Sequence, residues 1–460
     1  MSLSIINPAD GQEIASVETD TEFTLAAKFQ SLKNGAAAWK KTSVEARKNI
    51  LLKFHDLLDG HKDELAAILT SEVGKPLSQS YNEINGARGR IAWLCENAPK
   101  YLADDWMVEQ SNMGEKIVYE PLGVICNISA WNYPYLVGVN VIVPALLAGN
   151  TVMYKPSEYA TLTGLKIQEL LFEAGVLASA FEVAVGKGEV GASLLDLAFD
   201  GYFFTGSYKT GNSIYQKVAT KMVPCQLELG GKDPLYVTDD VEDVKSVAAG
   251  TADGAFYNNG QSCCAVERIY VHEKVYEEYV AAFVEEVKSW KSGTPTEEGV
   301  YIGAITRADQ LNVLENQVKD ALSKGAKLLT GGKRLDQAGN YFEPTVLVDV
   351  TQDMLVMQEE SFGPIIGIMK VSDDHQATSL MNDTAYGLTA SVYSVSQERA
   401  EAILSEVNSG SGYWNCCDRV SPALPWSGRK HSGFGATLSH AGLRAFTKPK
   451  AYHLRGNWQK

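Results

Sequence analysis

Apolar residues recur at helical spacing through residues 41 to 72 and 79 to 103, as in Ile50, Leu51, Leu52, Phe54, Leu57 and Leu58. This pattern predicts long surface helices that turn one stripe toward a core. From about residue 117 the pattern changes. Short β-rich runs at 123–128, 151–154, 181–185 and 202–204 alternate with helical stretches. A second series follows the Gly230-Gly231 break, with runs at 234–237, 268–271, 326–329 and 365–368. Strands that alternate with helices predict βαβ units and parallel sheets, here as two α/β domains meeting near residue 231. No repeat or low-complexity linker interrupts the series.

Composition narrows the picture. A chain of 460 residues exceeds the roughly 250–300 at which a single core stops growing, so two or more domains sharing a cleft are expected. The formal net charge of -15 repels phosphate backbones and anionic lipid, which argues against nucleic acid or a membrane surface as partner. The segment Met1 to Gly11 has no basic and apolar leader pattern, and no run of about 18 apolar residues occurs, which predicts a cytoplasmic protein. The seven cysteines are odd in number and form no C-x-x-C, and the seven histidines are scattered. Neither a disulfide framework nor a metal site is predicted.

Two segments carry candidate chemistry. Residues 256–265 place Cys263 just after a Gly-Gln turn, and residues 226–232 place Glu228 as a lone carboxylate upstream. A thiolate attacks a carbonyl carbon and holds the acyl group as a thioester, and a carboxylate activates the water that releases it. Cys263 is equally of the type that packs as a small buried hydrophobe. Two strand-turn-helix junctions are candidate phosphate sites. One is Gly186-Lys-Gly-Glu-Val-Gly191, a formal G-x-G-x-x-G, and the other is Gly206-Ser-Tyr-Lys-Thr-Gly211. A helix N-terminus offers free N–H groups to anionic oxygens, so either turn fits a pyrophosphate.

These elements, in this order, resemble the aldehyde dehydrogenase superfamily over essentially the whole chain. The matching segments are 131–134 (WNYP), 154–158 (YKPSE), 204–207 (FTGS), 227–232 (LELGGK), 260–263 (GQSC), 359–364 (EESFGP) and 432–435 (SGFG). The resemblance implies two Rossmann-like α/β domains with a small β oligomerisation element. Residues 1–105 and 125–231 would form the NAD(P)-binding domain and 232–432 the catalytic domain. Residues 106–124 and 433–460 would form the oligomerisation element of a homodimer or homotetramer. It also implies Cys263 as nucleophile, Glu228 as base for the hydrolytic water, and the Asn132 amide with the Cys263 N–H as oxyanion donors. Trp131, Lys155, Glu158, Gly186, Gly206, Ser207, Gly211, Glu360 and Phe362 match cofactor positions, with Gly206-Ser207 at the dinucleotide and 186–191 nearer its adenosine half. A carboxylate at 158 accepts ribose hydroxyls and repels a 2′-phosphate, so NAD is preferred, while Lys155 admits NADP.

The implied substrate is a small aldehyde. Relatives acting on succinate semialdehyde resemble one another in two arginines at places held here by Tyr257 and Asn140, so a neutral aliphatic or aromatic aldehyde is favoured. Tyr135, Tyr257 and Trp414 are candidate walls of its pocket, or ordinary core. A semialdehyde remains the alternative. Transfer of the acyl group to coenzyme A is disfavoured by Glu228, because acylating relatives tend to lack this base. Ser427 and Thr437 depart from the resemblance, standing where glycine and glutamate are usual.

Overall fold

The computed structural model describes residues 1–456; residues 457–460 of the expected oligomerisation element lie outside the described residues. Its centre is two sheets. In the first, five parallel strands run in the order Cys225–Glu228, Gly201–Thr205, Val124–Ile128, Thr151–Lys155, Phe181–Val183. Gly433–Phe434 adds antiparallel beside Cys225–Glu228. The chain enters at Val124–Ile128, builds outward on one side, then returns to build the other. The point where this order reverses is where open α/β sheets bind ligands.

The second sheet has seven strands in the order Lys327–Thr330, Thr345–Val348, Ile365–Val371, Val266–His272, Asp233–Val237, Thr389–Tyr393, Ser411–Trp414. All its pairs are parallel except the first. Its central strands Asp233–Val237 and Val266–His272 are buried throughout, as expected of strands covered by helices on both faces. The first sheet ends at Glu228 and the second begins at Asp233, so the expected junction near residue 231 falls in the crossing between them.

The predicted strands are all present within a few residues of their expected ends. The helical span 41 to 72 is instead two helices, Val44–Gly60 and Lys62–Val73, broken at His61, whose ψ of 11 leaves the helical region. A further helix, Glu22–Lys41, escapes the periodicity argument because its alanines and Gly35 blur the apolar stripe. Gly35 is there for contact: a Cβ would meet the Ser179 carbonyl at 2.1 Å. Strands at 345–348, 389–393 and 411–414 were not marked by the sequence pattern either.

A third, antiparallel sheet orders Thr447–Arg455, Met113–Pro121 and Asp105–Gln110. The segment after 432 is therefore not a single piece. Gly433–Phe434 joins the first sheet, Ser439–Arg444 is a short helix, and Thr447–Arg455 joins the hairpin. Among the described residues no helix is long and apolar enough to cross a membrane.

Candidate active site

A cavity of about 690 Å³ is lined from both sheets. It opens at the ends of Val124–Ile128 and Gly201–Thr205, which flank the reversal point of the first sheet. Trp131, Asn132, Lys155, Glu158, Gly206, Ser207, Glu228, Cys263, Glu360 and Phe362 all line it. Ten sequence-predicted site residues are thus brought together from segments spread over more than half the chain.

Cys263 follows a turn that is left-handed at three successive residues, Asn258 (φ 54), Asn259 (φ 58) and Gly260 (φ 69). Such backbone is costly for residues with a Cβ, and local side-chain bonds hold it. The Asn258 amide donates to the carbonyls of Asn132 (3.1 Å) and Gln261 (3.0 Å). Asn259 donates to the Ala304 carbonyl and accepts from the Gly303 N–H. At Gly260 a Cβ would fall 2.3 Å from the Gly363 carbonyl, so glycine is required. Cys263 is half-buried on the cavity, whereas Cys264 is buried and its thiol donates to Asp418 at 2.9 Å. The hydrogen bond with Cys263, then burial and the Asp418 carboxylate, push the Cys264 thiol well above its ordinary range.

Asn132 stands just before the helix Pro134–Ala148. Its amide donates to the Gln261 carbonyl at 3.1 Å, which uses one of its two hydrogens and leaves the other. Its carbonyl is held by the buried Lys75 ammonium at 2.7 Å. Lys75 in turn pairs with buried Glu83, which accepts from the Tyr135 N–H at 2.8 Å, and it lies 4.0 Å from the Tyr133 ring centroid. Burial lowers the Lys75 pKa while Glu83 opposes that shift. This network fixes the Asn132 backbone from behind.

Glu228 ends the strand Cys225–Glu228, and the Thr437 hydroxyl donates to its Oε1 at 2.5 Å. Burial pushes its carboxyl up to about 7, with Thr437 and the Arg90 charge opposing. A base poised near neutral pH suits proton transfer. Thr437, which departs from the usual glutamate, is thereby a direct partner of the candidate base.

The cofactor positions follow the cavity outward. The helix Tyr208–Ala219 begins at Ser207, whose hydroxyl caps it by accepting from the Thr210 N–H. Gly206, Ser207 and Thr210 face the cavity, so the first-turn N–H groups are offered to an anion. Lys155 is buried, donates to the Pro156 carbonyl at 3.1 Å, and has its pKa lowered by burial. Glu158 opens a short helical turn beside it. Glu360 accepts from the Gly231 N–H at 3.1 Å, and burial pushes its carboxyl up to about 8. It lies so close to Gly230 that a Cβ there would meet it at 2.2 Å. Phe362 (φ 45) meets Trp131 edge-to-face at 5.4 Å. A long cavity lined by a helix N-terminus, the carboxylates of Glu158 and Glu360 and aromatic side chains fits a nicotinamide dinucleotide.

Two expected cofactor glycines do not line the cavity. Gly186 (φ 152) serves the backbone and leaves room for Val190, and Gly211 leaves room for Leu229; from that turn it is Gly188 and Gly191 that reach the cavity. Tyr135 is not a pocket wall but a fully buried core residue. Trp414 is 38% exposed on an edge strand with its indole N–H on the Ser394 carbonyl. Tyr257 is half-buried, and its hydroxyl accepts from Asn82 at 3.0 Å. Sequence reasoning missed Thr437, Lys75, Arg307 on the cavity wall, and Arg90. Arg90 left a signal as a cation within the apolar stripe Ile84, Ala87, Ile91, Leu94, and Thr437 left one as a departure from the family pattern. Among the described residues no cluster of metal-ligating side chains occurs.

The chain matches the Aldehyde dehydrogenase family over residues 1–452. It is similar to aminoaldehyde dehydrogenase 1, peroxisomal, of Pisum sativum, at 34% identity over 97% of this chain and 91% of that protein. It is also similar to succinate-semialdehyde dehydrogenase [NADP(+)] of Deinococcus radiodurans, at 31% identity over 97% and 93%. Among solved structures, an aldehyde dehydrogenase from Brucella melitensis superposes with a TM-score of 0.96 at 32% identity, covering 99% of this chain and 94% of that one.

Proposed function

The chain belongs to the aldehyde dehydrogenase family, an oxidoreductase acting on aldehydes with NAD or NADP, and from that premise we propose that it forms a carboxylate through a thioester on Cys263. The observation that carries this is the meeting of Cys263, Asn132 and Glu228 on one cavity that also fits the dinucleotide. The Cys263 thiolate attacks the carbonyl carbon. The oxyanion takes the remaining Asn132 amide hydrogen and the Cys263 N–H, donors typically worth ~3–4 kcal/mol. A nicotinamide held beside Glu360, Phe362 and Trp131 would supply the acceptor for the hydride that this carbon loses. Glu228 then removes a proton from water, the hydroxide adds to the thioester, and the Cys263 thiolate is expelled with the carboxylate product.

Lys155 and Glu158 would hold the adenosine ribose, Gly206 and Ser207 the pyrophosphate, and Glu360, Phe362 and Trp131 the nicotinamide end. The domain division at 1–105 with 125–231, 232–432, and the hairpin with the C-terminal strand is part of this reading. So are assembly as a homodimer or homotetramer through that hairpin, and a cytoplasmic location, where the seven free cysteines stay reduced. NAD is the proposed cofactor because of Glu158. Glu158→Gln is expected to raise NADP use relative to NAD by about tenfold, the equivalent of ~1.4 kcal/mol of relieved repulsion; an unchanged ratio of kcat/KM values sinks the preference.

The neutral-aldehyde expectation rested on Tyr257 and Asn140 standing in place of arginines. Arg90 donates to Asn140 at 2.9 Å, so a guanidinium stands beside one of those two positions, while the other is held by Tyr257, bonded to Asn82. The deciding assay follows reduced cofactor by absorbance with a panel of aldehydes, with and without coenzyme A. Turnover without coenzyme A is expected. A strict requirement for it would replace hydrolysis by acyl transfer, and silence with every aldehyde would end the oxidation reading.

A further inference from the structure

Lys232 and Glu267 form an ion pair inside the protein, 1% and 5% exposed, with Nζ 2.5 Å from Oε2. A buried pair adds little net stability, because both charges lose their hydration in coming together. What it does well is fix geometry, and here each partner adjoins a residue of the proposed reaction. Lys232 follows the Gly230-Gly231 turn after Glu228, and Glu267 stands shortly after Cys263 on the strand Val266–His272. Gly231 lets these two segments close: a Cβ there would lie 2.7 Å from the Cys263 carbonyl.

The same carboxylate reaches a third segment. An ionised carboxylate only accepts, and Glu267 takes the Ser361 N–H on Oε2 at 2.8 Å and the Phe362 N–H on Oε1 at 3.0 Å. Lys232 also donates to the Ser361 hydroxyl at 3.0 Å. From the helix Ala308–Ser323, Gln310 donates to the Ser361 carbonyl at 2.6 Å and Gln317 accepts from the Ser361 hydroxyl at 2.8 Å. Ser361 is thereby held at every polar atom it has. Its neighbours Glu360 and Phe362 line the cavity, and Phe362 does so with φ 45. A bulky residue keeps such backbone only where its surroundings enforce it, and the paired N–H bonds to one carboxylate do so.

We propose that Glu267 is a positioning residue for the nicotinamide end of the cofactor: it sets the loop 360–362 against Cys263, and so fixes where the hydride acceptor meets the substrate carbon. The proposal rests on oxidation at Cys263 as read above. Glu267 does not itself line the cavity, so it acts through Ser361 and Phe362.

The test measures binding of NAD and of ADP to Glu267→Gln by protein fluorescence. ADP carries the adenosine and the pyrophosphate but neither the nicotinamide nor its ribose. The variant is expected to bind NAD about tenfold more weakly than the native enzyme while its affinity for ADP changes less than about twofold. Its kcat for aldehyde oxidation should fall about 100-fold through the misplaced acceptor. Hydrolysis of 4-nitrophenyl acetate without cofactor, which acylates Cys263 with no hydride step, should stay within about threefold. Glu267→Asp keeps the charge beside Lys232 and should fall between the two. Equal weakening of NAD and ADP, or an equal fall in both reactions, would make the pair a general prop and overturn the assignment. So would a Glu267→Gln enzyme that matches the native one. Should that variant not fold, Ser361→Ala, which removes only the hydroxyl between Lys232 and Gln317, is put through the same comparison and the same outcomes decide. A native enzyme that binds NAD and ADP yet oxidises no aldehyde would overturn the oxidation reading instead, with the binding comparison still deciding the role of Glu267.

Discussion

Cys263→Ala is expected to abolish aldehyde oxidation, lowering kcat roughly 10,000-fold or more, because no other group on the cavity can form the thioester. Fluorescence titration should show the dinucleotide still bound, since the proposed cofactor contacts are made by other residues of the cavity. The adjacent thiol is the one competitor. Cys264 is buried, donates to Asp418 and is pushed well above its ordinary range, so it is both turned away and protonated. Retained activity, with an acyl mass adduct mapped to Cys264, would transfer the role to it.

Glu228→Gln is the second large effect. Attack by Cys263 and hydride loss do not need this carboxylate, but water activation does. Steady-state kcat should fall about 100- to 10,000-fold while a burst of reduced cofactor near one equivalent per site persists. The native enzyme should also show a pH dependence that the variant loses. Burial raises the carboxyl to about 7, and only the ionised form accepts a proton. Turnover should therefore rise as pH passes upward through about 7 and be lost below it. A burst that disappears together with kcat would place Glu228 in the first half of the reaction instead.

The parts of the site legible in the sequence are those built within a few residues. The turn before Cys263, the glycines at 230 and 231 beside Glu228, and the Gly206-Ser207 helix start are local solutions to local backbone problems. Many of the strands were legible because runs buried on both faces read as continuous apolar segments, but Thr345–Val348 and Thr389–Tyr393, equally buried, were not marked. What stayed hidden depends on side chains reaching across the fold. Thr437 meets Glu228, Lys75 meets Asn132, and Arg90 meets Asn140 only after helices and sheets have packed. The 186–191 turn is read only in part: Gly186 makes room for Val190, while Gly188 and Gly191 reach the cavity. The bond from Arg90 to Asn140 was equally out of reach of a reading along the chain, because it joins two different helices.

The strand Gly433–Phe434 beside Glu228 bears on how the enzyme comes into being. On the ribosome the nucleophile emerges long before the segment that flanks the base and supplies Thr437. A nascent chain therefore passes through a stage in which Cys263 exists but Glu228 lacks its neighbour Thr437. If Glu228 is the base proposed above, its hydroxyl partner is made 209 residues later and its flanking strand almost as late.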